Sequence, residues 1–259
     1  KMRLADNNVF GVDLNPTAVE LAEVSLWLNT IYENKASESA HIPWFGLQLA
    51  NGNSLVGTRR QTFPAKLLAD KAGQSGGKAR WTETVPDRVP WSNSQPPTAN
   101  RQLRLPPRPA NDVYHWLVPD PGMSVYSDKV VKELKRGEIA AIIAWRKGFC
   151  KAFDSSDIDT LKALSEAADQ LWQRHLDASV KLRAQTTDEL PVWPEKPSVK
   201  PPSSTQWKDE QLAKTLRHPY SPYRRLKLAM DYWCALWFWP IDQSALLPTR
   251  DQFLMELSV

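Results

Sequence analysis

The sequence predicts an α+β fold that is mostly α-helical, with a small α/β head followed by a long helical insertion. Signals for a strand, a turn and a helix follow one another between Val9 and Leu28. An apolar stripe with spacings of three and four runs from Ile158 to Leu182, and a tryptophan-rich apolar pattern ends before Pro240. Because such helical patterns outnumber strand patterns, helices dominate the predicted fold.

The first predicted strand ends in a carboxylate. The run Val9–Val12 is continuously apolar or glycine, as expected of a strand covered on both faces, and Asp13 follows it. Asn15 suits the N-cap of the next helix, and Pro16 suits its first position. That helix is apolar over much of its surface through Leu28, so we expect it to pack on a sheet. Asp13 then lies at the carboxyl end of an interior strand, where open α/β sheets bind ligands.

A second short strand is predicted over Phe45–Leu49, ending in the sharp turn Asn51-Gly52-Asn53. If the two strands are parallel neighbours, Asn53 lies beside Asp13. The residue types leave two interpretations of Asn53 open, a binding residue or merely a turn residue.

An acidic residue at the end of such a strand usually accepts hydrogen bonds from ribose hydroxyls. Dinucleotide-binding enzymes place this acid about 20 residues after a GxGxxG loop. Here Gly11 is the one glycine that precedes Asp13. Asp13 is therefore either a structural strand-end residue or part of a site in a longer protein.

The stretch Gly11–Leu28 closely resembles large N6-adenine-specific DNA methyltransferases, the enzymes of type IIG restriction and of phage-defence systems of the BREX and DISARM kind. The segment Gly52–Gly57 matches the next motif of the same family, about forty residues on. The resemblance implies that residues 1–57 form a partial Rossmann-like methyltransferase domain that binds S-adenosyl-L-methionine, that DNA is a partner, and that other defence-system subunits are candidate partners.

Site residues are implied by the same resemblance. In that family the strand-end acid binds the ribose of S-adenosyl-L-methionine, and the residue after it lies against the adenine ring. The Asn or Asp of the second motif approaches the adenine amino group. These roles fall on Asp13, Leu14 and Asn53, with Ser54 adjacent.

Two motifs of the family are not found in the sequence. Its glycine-rich first motif would precede Lys1, and its catalytic Asn-Pro-Pro-Tyr loop would follow the second motif. The nearest strings, Gln95–Thr98 and Lys200–Ser203, lack the Asn and the Tyr that would hold a flipped adenine. We therefore expect an internal piece of a longer polypeptide, partnered by its missing N- and C-terminal parts, with no catalytic residues and no activity of its own. The alternative is a helical protein-interaction module with no ligand.

Charge is unevenly distributed along the chain. Residues 1–56 carry three basic and six acidic side chains, a net charge of −3, whereas residues 57–110 carry ten and three, a net charge of +7. Residues 58–126 are predicted to form a basic, irregular loop region. Arg59, Arg60, Lys66 and Lys71 are its candidate contacts to DNA phosphates, and a merely solvated loop is the alternative.

The remaining chain is predicted to be helical. Residues 127–190 form a helical region, with a helix capped by Ser127 that runs to Leu134 and a second helix over Glu138–Phe149. A long helix capped by Ser155 or Ser156 then runs to about Ala184. A proline-rich linker covers 191–205. Residues 206–259 form a tryptophan-rich helical segment whose last long helix starts at Pro222 and stops at Pro240. Its tryptophans are either core residues or a base-stacking platform.

Several functional classes are excluded or disfavoured. The two cysteines share no CxxC spacing and indicate a reducing, cytoplasmic location. No segment has the roughly 20 apolar residues of a membrane span. The four histidines lie far apart in the sequence, which argues against a metal site, and no GxSxG elbow indicates a hydrolase.

Overall fold

The computed structural model describes residues 1–31, 42–69, 80–90, 105–188 and 203–258. These residues form an α-rich α+β structure with two small sheets. They divide into two compact units. The first, the head unit, comprises Lys1–Gly57 and His175–Arg224, and the second, the large unit, comprises Thr58–Arg174 and Arg225–Val259. Most of the predicted linker at 191–205 lies outside the described residues.

The helices and strands follow in chain order. The first part contains α1 (Met2–Asn8), β1 (Gly11–Asp13), α2 (Pro16–Thr30), β2 (Leu49–Asn51), β3 (Gln61–Pro64), α3 (Ala65–Ala69), β4 (Asp87–Arg88) and β5 (Asp112–Tyr114). The second part contains α4 (Lys129–Leu134), α5 (Arg136–Phe149), α6 (Ser155–Thr186), α7 (Thr205–Thr215), α8 (Pro222–Ala235) and α9 (Arg250–Leu257).

The head unit contains a parallel pair of strands, β1 and β2, joined through α2. Asn15 caps α2 as predicted, since its side-chain oxygen accepts a hydrogen bond from the N–H of Thr17 at 3.0 Å. The second strand begins at Leu49 and not at Phe45 as predicted. The reason is a turn, in which the N–H groups of Gln48 and Leu49 both donate to the carbonyl oxygen of the buried Phe45 at 2.9 Å.

The prediction that the first strand is covered on both faces is wrong for the described residues. Phe10 is 58% exposed and Val12 is 49% exposed. On α2, Leu21, Val24 and Leu28 recur at a spacing of three and four and are also exposed. Parallel sheets are normally covered on both faces, so this strand–helix pair presents apolar surface that a complete α/β sheet would bury.

The rest of the head unit comes from α7 and the C-terminal part of α6. Ser204 caps α7 by accepting a hydrogen bond from the N–H of Trp207 at 3.3 Å. Lys208 on α7 is buried, and its ammonium lies 2.5 Å from the carboxylate of Asp188. This pair therefore places two opposite charges together in the interior, where each lowers the cost of burying the other.

In the large unit, the described part of the predicted irregular region 58–126 forms a sheet, so that prediction is wrong in part. Strand β3 pairs antiparallel with β4 on one side and with β5 on the other. The Thr62 hydroxyl donates to the buried Asp112 carboxylate at 2.8 Å. The strands have two to four residues each, too few for a periodic pattern to reveal them.

Helices pack around this sheet to form the main core. It includes Trp81, Tyr114 and Leu161, each at most 2% exposed. Trp233 of α8 is buried in the same core, and its indole N–H donates to the carbonyl oxygen of Val118 at 2.8 Å. Its position agrees with the core interpretation of the tryptophan-rich segment and not with a stacking platform.

The last long helix begins as predicted but ends early. Ser221 caps α8, accepting from the N–H of Arg224 at 3.2 Å, and Pro222 is its first residue. The helix stops at Ala235, five residues before Pro240. The carbonyl oxygen of Leu236 instead accepts a hydrogen bond from the Ser124 hydroxyl at 2.7 Å. The residue that follows the helix is therefore bonded to a partner distant in sequence.

Candidate functional site

The candidate cofactor site lies at the carboxyl ends of β1 and β2. The strands pair in register, with Gly11 opposite Leu49 and Asp13 opposite Asn51. Just past this register, the N–H of Gly52 donates to the carbonyl oxygen of Asp13 at 2.9 Å. The two predicted motifs, about forty residues apart in sequence, therefore meet at one edge of the pair, where open α/β sheets bind ligands.

Asp13 is exposed, and only one of its two carboxylate oxygens accepts a hydrogen bond from the described residues. Its Oδ1 accepts a hydrogen bond from the N–H of Asn15 at 2.8 Å, which orients the carboxylate over the turn that enters α2. Its second oxygen makes no hydrogen bond to any described residue. The side chain thus offers an oriented acceptor, the type of group that binds a pair of ribose hydroxyls.

Asn51 joins the two strand ends, and sequence reasoning assigned it no role beyond the turn. Its side-chain amide donates to the carbonyl oxygens of Asp13 at 3.1 Å and of Leu14 at 2.9 Å. The Leu14 side chain is 71% exposed. An amide side chain at the first position of the Asn51-Gly52-Asn53 turn is the sequence signal that could have identified Asn51.

Asn53 lies two residues beyond β2 and is exposed. Its Oδ1 accepts hydrogen bonds from the N–H groups of Leu55 at 2.9 Å and Val56 at 3.1 Å. This is the geometry of a turn residue, so the side-chain carbonyl already has backbone partners. Ser54, its neighbour, is exposed beside it. In register Asn51, and not Asn53, lies opposite Asp13, and the turn interpretation accounts for the conformation of Asn53.

The four candidate phosphate contacts differ in environment. Arg59 and Lys66 are exposed. Arg60 is 4% exposed, and its guanidinium donates to the carbonyl oxygens of Pro90 and, at 2.5 Å, of Pro106. A buried guanidinium held by carbonyl groups cannot contact DNA in this conformation, so the structure does not favour the predicted role of Arg60. Lys71 lies outside the described residues.

His115 lies against this basic segment without adding charge to it. Its Nε2 is 3.2 Å from the backbone nitrogen of Arg59, and its ring packs edge-on against Trp233 with centroids 5.2 Å apart. Burial lowers the pKa of His115 to about 4. Near neutral pH the ring is therefore neutral and plays a structural part.

The described residues were also searched for a metal site and for a membrane-spanning helix. They contain no cluster of three or more His, Cys, Asp or Glu side chains placed to hold a metal ion. In the same residues, no helix combines the length and the apolar character needed to cross a bilayer.

Comparisons with known proteins find no family model, no curated protein and no solved structure that matches this chain. The resemblance of Gly11–Leu28 and Gly52–Gly57 to adenine methyltransferases is therefore a hypothesis based on short motifs.

Proposed function

We propose that the chain is part of an S-adenosyl-L-methionine-dependent DNA adenine-N6 methyltransferase of a restriction or phage-defence system. The observation that supports the proposal is the meeting of Asp13 with the Asn51–Asn53 turn at the ends of two adjacent parallel strands. Parallel adjacency is what a site shared by the two motifs requires, and the sequence alone left it open.

In this proposal the chain contributes one side of the cofactor site. The free carboxylate oxygen of Asp13 accepts hydrogen bonds from the ribose hydroxyls, and the exposed Leu14 packs on the adenine ring. Asn53 and Ser54 line the rim beside them. These residues fit the group, because a ribose needs acceptors and an adenine ring needs an apolar surface. S-adenosyl-L-methionine itself would supply the methyl group.

The exposed apolar surface of the head unit also supports the proposal. Val12 on β1 and the stripe Leu21, Val24 and Leu28 on α2 are the side chains that a larger parallel sheet would cover. A two-stranded pair is marginal on its own in water. Such a head therefore fits an α/β domain completed by further chain.

DNA is the proposed macromolecular partner. The exposed Arg59 and Lys66 lie in the segment of net charge +7 and can contact phosphate oxygens. Subunits of the same defence system are further proposed partners, and we propose a cytoplasmic location, where DNA and a reducing environment coincide.

The proposal predicts that the chain as given does not methylate DNA. Close approach of the backbone to the cofactor needs a glycine-rich loop, and no such loop precedes Asp13 in the sequence. A flipped adenine needs groups like those of the Asn-Pro-Pro-Tyr loop, which the sequence does not contain. Transfer of radiolabelled methyl groups to adenine-containing DNA by the purified chain, above a no-protein control, would contradict this prediction.

The competing function is a helical interaction module without a ligand. It is favoured by the engagement of the Asn53 carbonyl in its own turn and by the separate core of the large unit. Calorimetric titration of S-adenosyl-L-methionine into the full-length polypeptide separates the two functions. Saturable binding that Asp13→Ala weakens supports the methyltransferase, and absence of binding supports the interaction module.

A further inference from the structure

A second basic surface lies on α4 and α5 of the large unit, away in sequence from the segment 57–110 that first suggested DNA contact. Residues 129–151 carry seven Lys and Arg side chains against two Glu, a net charge of +5. The acidic N-cap Asp128 directly precedes them. The motifs of the sequence assign this positive charge no role.

The basic side chains of this segment fall into two groups. Lys135 forms ion pairs with Glu138 and Asp242, and Arg146 donates to the carbonyl oxygens of Met123 and Ser124. These two cations already have partners within the protein. The other five are exposed and have no acidic partner among the described residues: Lys129, Lys132, Arg136, Lys147 and Lys151.

Helix geometry places two of these cations on one face of α5. Arg136, Ala140 and Lys147 of α5 are separated by four and seven residues, so they share the face opposite the buried Ile142 and Phe149. Arg136 and Lys147 are then about 16 Å apart along the axis, at 1.5 Å per residue. The face between them carries no acidic residue and mostly small side chains, so a charged backbone can approach it closely.

Helix stability accounts for Lys132 and Lys147, which lie in the last turns of α4 and α5, but not for the cations at the helix starts. Lys129 and Arg136 are the first residues of α4 and α5, where the helix dipole disfavours cations by a few tenths to about 1 kcal/mol. Unpaired like charges close together also repel one another. A polyanion that binds along the face would compensate both effects.

We propose that the exposed face of α4 and α5 binds the phosphate backbone of duplex DNA. The choice of DNA among polyanions rests on the proposed function, whereas the existence of a polyanion site rests on the charge and exposure alone. The contact is independent of sequence, because phosphates carry no base information. It would add to the contacts of Arg59 and Lys66 in the same unit.

The test measures binding of the chain to a labelled duplex of about 20 base pairs by fluorescence anisotropy, without cofactor, between about 50 and 200 mM salt. The surface variant carries Lys129→Gln, Lys132→Gln, Arg136→Gln and Lys147→Gln. The matched control carries Lys181→Gln, Lys214→Gln, Arg217→Gln and Arg224→Gln, which remove the same charge from exposed positions of the head unit. Circular dichroism verifies that both variants fold.

The surface variant is expected to bind at least about tenfold more weakly than the unmodified chain. Its slope of log affinity against log salt should be shallower by about 0.9 for each phosphate that is no longer neutralised, and the control slope should not change. Equal slopes for the two variants would overturn the proposal. Because Val130, Leu134 and Ile143 are exposed nearby, vesicles with anionic headgroups form a second arm. Loss of vesicle binding with DNA binding intact would assign the face to a membrane surface instead.

Cofactor binding is scored separately, so the two proposals can fail separately. A surface variant that loses DNA affinity supports this inference even if S-adenosyl-L-methionine does not bind the full-length polypeptide. Cofactor binding together with an unchanged DNA slope contradicts the inference and leaves the proposed function standing.

Discussion

The backbone N–H of Gly52 donates a hydrogen bond to the carbonyl oxygen of Asp13 at 2.9 Å, and this contact joins the two strand ends that carry the candidate site. It involves main-chain atoms only, so replacing the Asp13 side chain leaves it in place. Asp13 can therefore be tested for ligand binding without removing the contact that positions it.

Asp13→Ala in the full-length polypeptide should weaken S-adenosyl-L-methionine binding by about 1.5–3 kcal/mol, the range for a hydrogen bond to a charged group. Isothermal titration calorimetry measures the change. Glu20→Ala is the matched control, since it removes one exposed carboxylate from α2, the helix that follows β1. Equal affinities for the Asp13 variant and the unmodified protein would remove Asp13 from the site.

Arg59 and Arg60 are adjacent, yet they should respond differently to neutralisation. Arg59→Gln together with Lys66→Gln should flatten the salt dependence of DNA binding by about 0.9 for each phosphate that loses its cation, and stability should not change. Arg60→Gln should instead lower the free energy of unfolding by about 1–3 kcal/mol, because the carbonyl groups of Pro90 and Pro106 lose a buried donor. Anisotropy titrations and urea unfolding measure the two effects. If Arg60→Gln left the stability unchanged and made the salt dependence of DNA binding shallower, Arg60 would be a DNA contact and not a structural residue.

The ion pair between Lys208 and Asp188 should contribute strongly to the head unit. Lys208→Met removes the buried ammonium from the Asp188 carboxylate, and breaking a buried ion pair typically costs about 3–5 kcal/mol, so we expect a loss of that size in urea unfolding. The control is Lys214→Met on the same helix. Lys214 is exposed and lies 3.7 Å from Glu210, and such pairs contribute about 0.3–0.5 kcal/mol. Similar losses in both variants would show that the buried pair contributes no more to the free energy of unfolding than the exposed pair.

Stability should depend on pH through His115. Burial lowers its pKa in the folded protein to about 4, against 6.5 for the ordinary group. Below about pH 6.5 the unfolded chain binds a proton that the folded protein does not, so the free energy of unfolding falls as the pH falls. The full contribution is about 3 kcal/mol and is lost between about pH 6.5 and 4.

The measurement compares urea unfolding of the unmodified protein with that of His115→Gln across this range. The difference between the two curves should shrink as the pH falls, whereas exposed His218→Gln should follow the unmodified protein. A His115 difference that does not change with pH would show that the histidine does not titrate in this way.

Local sequence signals were sufficient for the first strand–helix pair and for most helices. Asn15 and Pro16 start α2, Ser221 and Pro222 start α8, and the apolar stripe of α6 predicted a helix that the structure shows over Ser155–Thr186. Each of these signals acts within one or two turns of chain. Such signals can be read from residue order because their physical causes, capping and side-chain periodicity, are local.

Features that depend on distant partners could not be predicted in this way. The sheet of β3, β4 and β5 joins Thr62 to Tyr114, and no local pattern marks strands so short. The burial of Arg60 and Lys208 depends on carbonyl groups and a carboxylate contributed by distant segments. Charge alone predicts such residues to be on the surface, because an unpaired buried charge is too costly, and only the fold shows where a partner removes that cost.

The candidate site also has some features that the sequence predicts and others that only the structure shows. Residue order alone establishes that an acid follows an apolar strand and that an Asn-Gly-Asn turn follows about forty residues later. The folded chain adds that the two strands are parallel neighbours, that Asn51 ties their ends together and that Asp13 keeps one oxygen free. These relationships required the three-dimensional structure because strand pairing is a non-local backbone contact, which the side chains of neither strand specify separately.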